Sequence, residues 1–359
     1  MTTTSIDSKK TLAQQPSLKK SVIHEKSTAV MASLTAATPS PRPPVVNGMP
    51  LPSELTPEQY TFDLSSPSQA AAAFSKAGLV KIKGLIPREL SLLALQEAQD
   101  SLEELFATMK ERGVTLEQGT KGGYAEVVQR SEGRYEMNYK MTEGIFADAN
   151  IVNNQWLSEF VGEIMGGEQG EEWELHRRSL LISFPGAKGQ QWHVDGDHRS
   201  TSTHASAHAI NAFIALGDIT LDMGPTELRP ASHFLSRKLF KFMMLARARK
   251  QLHVPVQPVA LAGDALIFDY RTLHRGTENN STKPRAMLEL VFFKKGYTDL
   301  LNFPKRSVFN VKKREEGEGD EDEKGEKNHA SKEENKEDKE EEEEENPSPL
   351  VAVGEKNEK

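Results

Sequence analysis

The stretch Gly263-Asp264-Ala265-Leu266-Ile267-Phe268-Asp269-Tyr270-Arg271-Thr272-Leu273-His274 decides how the rest of the chain is read. Gly-Asp is turn chemistry. The apolar run that follows, bounded by polar residues, has the length of a buried strand rather than of a helix. His274 therefore falls just beyond a strand end. Eleven residues later, after the turn signal Glu278-Asn279-Asn280-Ser281, Arg285 opens a second apolar run, Met287 to Phe293. A hairpin of these two runs brings Arg285 back near His274.

A second group lies upstream, at Gln191-Trp192-His193-Val194-Asp195-Gly196. Side chains alternate along an extended chain, so His193 and Asp195 point the same way and can reach one ion. Imidazole and carboxylate, completed by His274, make a two-His-one-carboxylate set that leaves iron(II) with open positions. His-x-Asp alone is a weak signal. Asp197, His198, His204 and His208 crowd the same loop, so a plain surface loop is the competing reading. Arg285 carries a planar guanidinium suited to bidentate capture of a carboxylate; an ordinary surface ion pair is its bland alternative. Trp192, beside a candidate ligand, reads as packing.

Working outward, Ser179–Phe184, Ala209–Leu216, Pro255–Val259, Ala265–Phe268 and Met287–Phe293 are short strand candidates separated by Gly, Pro, Asp and Asn. That texture predicts a sandwich or barrel. Helices are expected from Ser66-Pro67 to Ala77, from Pro87 to about Arg112, over Asn153–Met165 and over Leu235–Gln251. A strand is expected at Leu79–Lys83 and another around Arg134–Tyr139, where Arg134, Tyr135 and Tyr139 either pack on the sheet or line the mouth of a site. The stretch Asp222–His233 reads as a turn-rich loop without chemistry.

The chain has 359 residues and a formal net charge of −8, which is unevenly spread. Glu315–Glu345 holds 18 acidic and 5 basic residues, a net of −13, so the remainder carries +5. Most of that sits in the first fifty residues, with six Lys/Arg against two acids. The central region is close to neutral, which argues against nucleic acid as a partner. Residues 1–54 and the Glu/Lys-rich stretch 312–359 lack the apolar content to offset the entropy of ordering. They are expected to be a disordered arm and tail around one domain at 55–311. There are no cysteines, which excludes disulfides, zinc-thiolate centres, iron–sulfur clusters and a Cys nucleophile. No apolar run approaches the length of a membrane span. A cytoplasmic protein is expected, with an N-terminal transit peptide as the open alternative. No protein partner is evident.

Four blocks in order resemble the phytanoyl-CoA dioxygenase family over about residues 70–296: Trp192-His193-Val194-Asp195-Gly196; Gly224-Pro225-Thr226-Glu227 with Pro230-Ala231-Ser232-His233; Gly263 to Phe268; and His274 with Asn279, Ser281 and Arg285. The resemblance implies a mainly β protein with flanking helices, its core a double-stranded β-helix (jelly roll, cupin-like). It implies iron(II), with 2-oxoglutarate and dioxygen as co-substrates, and hydroxylation of a small-molecule substrate with release of succinate and CO2. His193, Asp195 and His274 match the family's metal ligands, and Arg285 matches its carboxylate-binding arginine. Asp195 is a carboxylate, where halogenating relatives have Gly or Ala, which favours hydroxylation. Two departures stand out: Ala231 replaces a usual Gly, and Gly276 occupies a position where some members carry a hydroxyl that helps hold 2-oxoglutarate. Another donor must serve there, and Asn211 is the expected one. Two rivals stay open: a catalytically silent sensor or binding protein on the same fold, and a cupin-type metalloenzyme that does not use 2-oxoglutarate.

Overall fold

Ser66 and Pro67 start a helix as the sequence predicts: the Ser66 hydroxyl accepts from the Gln69 amide at 3.4 Å, and Pro67 takes the first helical position, where no amide is needed. The helix ends at Gly78, whose φ of 75° is left-handed. The computed structural model describes residues 54–166, 172–199, 205–234, 252–299 and 302–312. Nearly all of the expected N-terminal arm and acidic tail, and the helix expected over 235–251, lie outside these residues.

The helices are α1 (Pro57–Tyr60), α2 (Pro67–Ala77), α3 (Arg88–Glu111), α4 (Ala149–Val152) and α5 (Gln155–Met165). The strands are β1 (Thr61–Phe62), β2 (Leu79–Ile82), β3 (Val127–Ser131), β4 (Arg134–Met137), β5 (Trp173–Ser183), β6 (Ala209–Ala215), β7 (Thr226–Leu228), β8 (Ala265–Asp269), β9 (His274–Gly276) and β10 (Arg285–Lys294). Eight strands form one sheet in the order β1-β2-β8-β6-β10-β5-β4-β3, antiparallel except at the β1–β2 edge. The short strands β7 and β9 pair with each other as a second sheet. The protein is thus mainly β with flanking helices, of the jelly-roll class.

Alternation along β10 shows how the layers are made. Ala286, Leu288, Leu290 and Phe292 join the apolar cluster formed with Phe74, Leu105 and Phe160 of the helices. Met287 packs the other way, with Phe213, Leu266, Phe268 and Leu228, under the small sheet. Arg285 and Glu289 share that second face and line a cavity there. One face of the large sheet is therefore a dry layer under helices. The other carries two smaller apolar clusters and, between them and the sheet's polar side chains, the cavity that holds the site.

Two expectations need correction. Pro255–Val259 is not a strand: Val256 exchanges backbone hydrogen bonds with Leu228 as an isolated bridge, and nothing longer forms. Pro255 and Pro258 have no N–H to offer a ladder. Asp222–His233 is more than a loop, because Thr226–Leu228 is the strand that pairs with His274–Gly276. Among the described residues no helix is long and apolar enough to cross a membrane.

Candidate active site

His193 and His274 face each other across an isolated antiparallel bridge. The His193 amide donates to the His274 carbonyl at 3.0 Å, and the His274 amide donates to the His193 carbonyl at 2.9 Å. The Asp195 amide in turn donates to the Tyr270 carbonyl at 2.9 Å. Gly196 must follow, since a Cβ there would lie 2.7 Å from the Tyr270 ring. Trp192 anchors the loop from outside, with the guanidinium carbons of Arg229 and Arg275 at 4.7 and 4.8 Å from its ring centre. Packing, not chemistry, is its observed role.

The backbone brings the three side chains together. One ligand atom from each of His193, Asp195 and His274 lies within 4.8 Å of the others, among the described residues the one such cluster. Nε2 of His193 is 3.8 Å from Asp195 Oδ1, and Nε2 of His274 is 3.4 Å from Asp195 Oδ2. The Nδ1 atoms point away, to the Gln191 carbonyl at 2.8 Å and the Thr272 carbonyl at 2.9 Å. Those contacts put the proton on Nδ1 and leave Nε2 a free lone pair, the tautomer that a metal-binding histidine needs. Burial holds His274 toward its neutral form. The donor set fits iron(II), with one carboxylate, two imidazoles and no thiolate.

Asn211 sits at this end of the cavity. Fully buried on β6, it donates Nδ2 to Asp195 Oδ2 at 2.6 Å. Arg285 lies far along the sheet, since Asn211 is in register with Val291. The contact found for Asn211 is thus with the candidate metal carboxylate, and any co-substrate contact would be at the chelated end. Replacing Asn211 with Ala should lower iron(II) affinity by about 10- to 100-fold, the usual cost of losing an outer partner that orients a ligand; a metal titration of the variant checks it.

The same cavity, about 710 Å³, reaches Arg285. Arg285 is 2 % exposed and donates Nη1 to the Gly224 carbonyl and, at 3.4 Å, Nη2 to the Ser183 hydroxyl. Its Nε has no partner. Among the described residues no carboxylate pairs with it, so the surface-ion-pair reading fails here. Burial, and then the charge of Arg134, push it down to about 9, still cationic at neutral pH. An uncompensated guanidinium in such a place is costly unless an anion arrives.

Of the three residues on the strand expected around Arg134–Tyr139, which ends at Met137, Arg134 lines the cavity, while the tyrosines pack. Tyr135 meets Phe106 and Phe184 edge-on, and Tyr139 stacks on Phe309. The Gly224 loop, a block of the resemblance but read by itself as without chemistry, has a role in the site. Its carbonyl holds Arg285, its φ is +70°, and a Cβ would lie 2.2 Å from the Glu278 carbonyl oxygen; the Gly-Pro pair was the available signal. Ser232 donates to the Arg229 carbonyl at 2.7 Å and accepts from the Leu273 amide at 2.8 Å, pinning the residue before His274. Asn279 similarly ties its turn to Ser183 and Lys283 carbonyls, both at 2.9 Å. Also unread was a second arm of the cavity, carrying Arg130, Glu136, Arg177, Glu289 and Asn302. Glu289, buried and facing Glu136, is raised to about 7. His208, named in the crowded loop, is buried against Tyr297 and lowered to about 4, by burial first and Arg271 second.

A jelly-roll core with a His-Asp-His pocket and a buried, unpaired arginine defines the class of metal-dependent enzymes that take a carboxylate-bearing co-substrate. The family model for phytanoyl-CoA dioxygenase matches residues 74–287. The chain belongs to the phytanoyl-CoA dioxygenase family, whose cofactor set is iron(II), 2-oxoglutarate and dioxygen. Ectoine dioxygenase of Halomonas elongata is 30% identical over 167 residues, covering 40% of this chain and 48% of that protein. The chain thus spans about half the length of this curated relative. Among solved structures, the carbocyclase SnoK of nogalamycin biosynthesis matches with a TM-score of 0.47 and 16% identity over 68% of this chain and 87% of its own. The epimerase SnoN of the same biosynthesis matches at 0.46 and 15% over 66% and 94%.

Proposed function

We propose that this protein is an iron(II)- and 2-oxoglutarate-dependent dioxygenase that hydroxylates a small polar molecule. The observation that carries the reading is one cavity holding both ends of a co-substrate site: three ligand atoms at one end and a buried arginine without a carboxylate at the other. The bound metal and co-substrates supply the oxidation, in which 2-oxoglutarate is decarboxylated to succinate and CO2 and an oxygen atom enters the substrate. His193 and His274 present Nε2, held by their Nδ1 contacts. Asp195 presents a carboxylate held by Asn211. Arg285 orients the co-substrate by its far carboxylate.

The class of substrate follows from the second arm. Arg130, Glu136, Arg177, Glu289 and Asn302 line it as a charged wall, with Arg130 paired to Glu136 at 2.6 Å and Arg177 to Glu136 and Glu289 at 3.6 Å, a surface suited to a compact polar guest. A hydrocarbon chain placed against these ion pairs would desolvate them and supply no hydrogen bond in return. A long acyl chain is therefore a poor fit, whatever the family's name suggests. Ectoine, for which one relative is named, belongs in a first panel of polar metabolites, with an acyl-CoA as the contrasting member. The iron-loaded protein should release succinate in the presence of 2-oxoglutarate and oxygen, with release stimulated by a polar panel member. No succinate under any condition would favour the silent binding protein. Turnover of a panel member without 2-oxoglutarate would favour the cupin-type enzyme. Stimulation by the acyl-CoA alone would overturn the polar-substrate reading.

A further inference from the structure

The four charged side chains of the second arm are not equally engaged. Each nitrogen of the Arg130 guanidinium has a partner: Nε donates to Glu136 Oε2 at 2.7 Å, Nη1 to the Thr120 hydroxyl at 3.1 Å and Nη2 to the Asn302 carbonyl at 3.0 Å. One oxygen of Glu136 is used in this way. Arg177 differs. It stands 3.6 Å from Glu136 Oε1 and 3.6 Å from Glu289 Oε2, both too long for a hydrogen bond. Its Nε, and the Glu136 oxygen facing it, are buried without a hydrogen-bond partner. Ser179 is the one hydrogen-bond donor that Glu289 has among the described residues, and it serves Oε2, the oxygen nearest Arg177. A buried polar network left part-satisfied is costly until a further partner completes it.

The register of the large sheet puts this unfinished pair beside the metal ligands. Arg177 on β5 is opposite Val291 on β10, and Val291 is opposite Asn211 on β6. Residues directly opposite in register share a face. Arg177 therefore stands in the row of Asn211, the residue that holds Asp195, two strands and roughly 9.5 Å across the sheet. Glu289 is one same-face step along β10 from that row, whereas Arg285 is three. A guest seated on Arg177 and Glu289 is thus held at the metal end of the cavity.

Charge then selects the guest. Arg130 and Arg177 oppose Glu136 and Glu289, so a guest without net charge keeps the wall balanced. Arg177 offers a planar guanidinium, which takes a carboxylate bidentately. Burial first, then Glu136, raise Glu289 to about 7, and a positive charge brought close offsets both. We propose that Arg177 and Glu289 form the substrate subsite for a compact zwitterion of the α-amino acid type, Arg177 taking the carboxylate and Glu289 the ammonium. This rests on the functional reading above and narrows its polar substrate to one charge pattern. The two side chains are neighbours, so the opposite charges of the guest must also be neighbours. A net anion would face two carboxylates there, and a net cation two guanidinium groups.

The experiment uses the full chain loaded with iron(II) and 2-oxoglutarate, free of oxygen, and measures binding by calorimetry. The probes are matched triplets, namely proline, prolinamide and N-acetylproline, and the same three forms of alanine, serine and glutamine, with glycerol as a neutral polyol. In at least one triplet the zwitterion should bind at least tenfold more tightly than its amide and its N-acetyl form. Arg177→Gln should weaken that zwitterion by roughly tenfold to a hundredfold, the scale of one or more charge-assisted hydrogen bonds, and spare the amide, which has no carboxylate. Glu289→Gln should weaken the zwitterion and the amide and spare the N-acetyl form, which has no ammonium. Arg177→Lys should keep part of the affinity, and a melting curve of each variant confirms that it is folded. Equal weakening of all three forms in either Gln variant overturns the subsite, since a merely structural residue does not tell them apart. So does a panel in which no zwitterion is preferred, or in which glycerol alone binds. Binding of 2-oxoglutarate without binding of any zwitterion overturns the subsite alone. No binding of 2-oxoglutarate to the unaltered iron-loaded protein overturns the functional reading and the subsite with it.

Discussion

Alanine at position 274 should abolish stoichiometric iron binding while leaving the fold intact. His274 provides one of three candidate ligand atoms, and it is the most buried of the three side chains. Loss of an outer partner at a metal site already costs about 10- to 100-fold in affinity, and loss of a ligand should exceed that. The fold should survive because strand β9 is held by its backbone. The His274 amide and carbonyl stay paired with His193, and Leu228 and Thr226 stay paired with positions 274 and 276. Removing the imbedded ring leaves a cavity beside Phe268, whose ring centre is 4.7 Å from that of His274, so a drop of a few degrees in Tm is compatible. Metal analysis after gel filtration, with a melting curve, checks both halves. Iron at one equivalent in His274→Ala would mean that another histidine serves.

Arg285→Gln should weaken 2-oxoglutarate by roughly tenfold to a hundredfold or more and leave iron binding nearly unchanged. Gln keeps a donor but loses the positive charge and the planar fork; Lys keeps the charge and loses only the fork, so its effect should be smaller. The order follows from position. Arg285 is remote from the ligand atoms along the sheet, so it can act on the co-substrate without disturbing the metal. Its buried neighbours, the Gly224 carbonyl and the Ser183 hydroxyl, already aim the guanidinium into the cavity. A spectroscopic titration of iron-loaded, oxygen-free variants separates the two affinities. Wild-type affinity in Arg285→Gln would remove the main ground for choosing 2-oxoglutarate over other chelating co-substrates.

How much of this was legible depended on whether a residue's role left a local pattern. Strand β10 was legible because its apolar run is long and buried on both faces, so composition alone marks it. Strand β8 was legible from Gly263-Asp264, and the structure gives the reason: Asp264 caps the turn by accepting from the Gly84 and Leu261 amides at 2.9 and 3.0 Å. The first half of β5 was not. His176, Arg177 and Arg178 break its apolar character, because Arg177 faces the polar arm of the cavity and Arg178 reaches the Phe146 carbonyl at 3.1 Å. Strands β7 and β9 are three residues each, too short for any period to show, and their pairing depends on a contact across some fifty positions. The three candidate ligands could be listed from spacing and resemblance. Arg134 could be named only as a residue that packs or lines the mouth, because nothing in a linear sequence says that residues 134, 183 and 285 share one row. That is a property of register, which long-range pairing decides.

The mutual backbone bridge between His193 and His274 also makes the site able to report on its own integrity. Each of those two amide hydrogens is bound to the carbonyl of the opposite histidine. Neither can be replaced by deuterium from solvent until the two segments separate, and separation scatters the imidazoles that would hold the ion. Deuterium uptake at these two positions therefore counts the openings of the pocket itself, and metal that binds only the closed form must slow it by the factor 1 + [metal]/Kd.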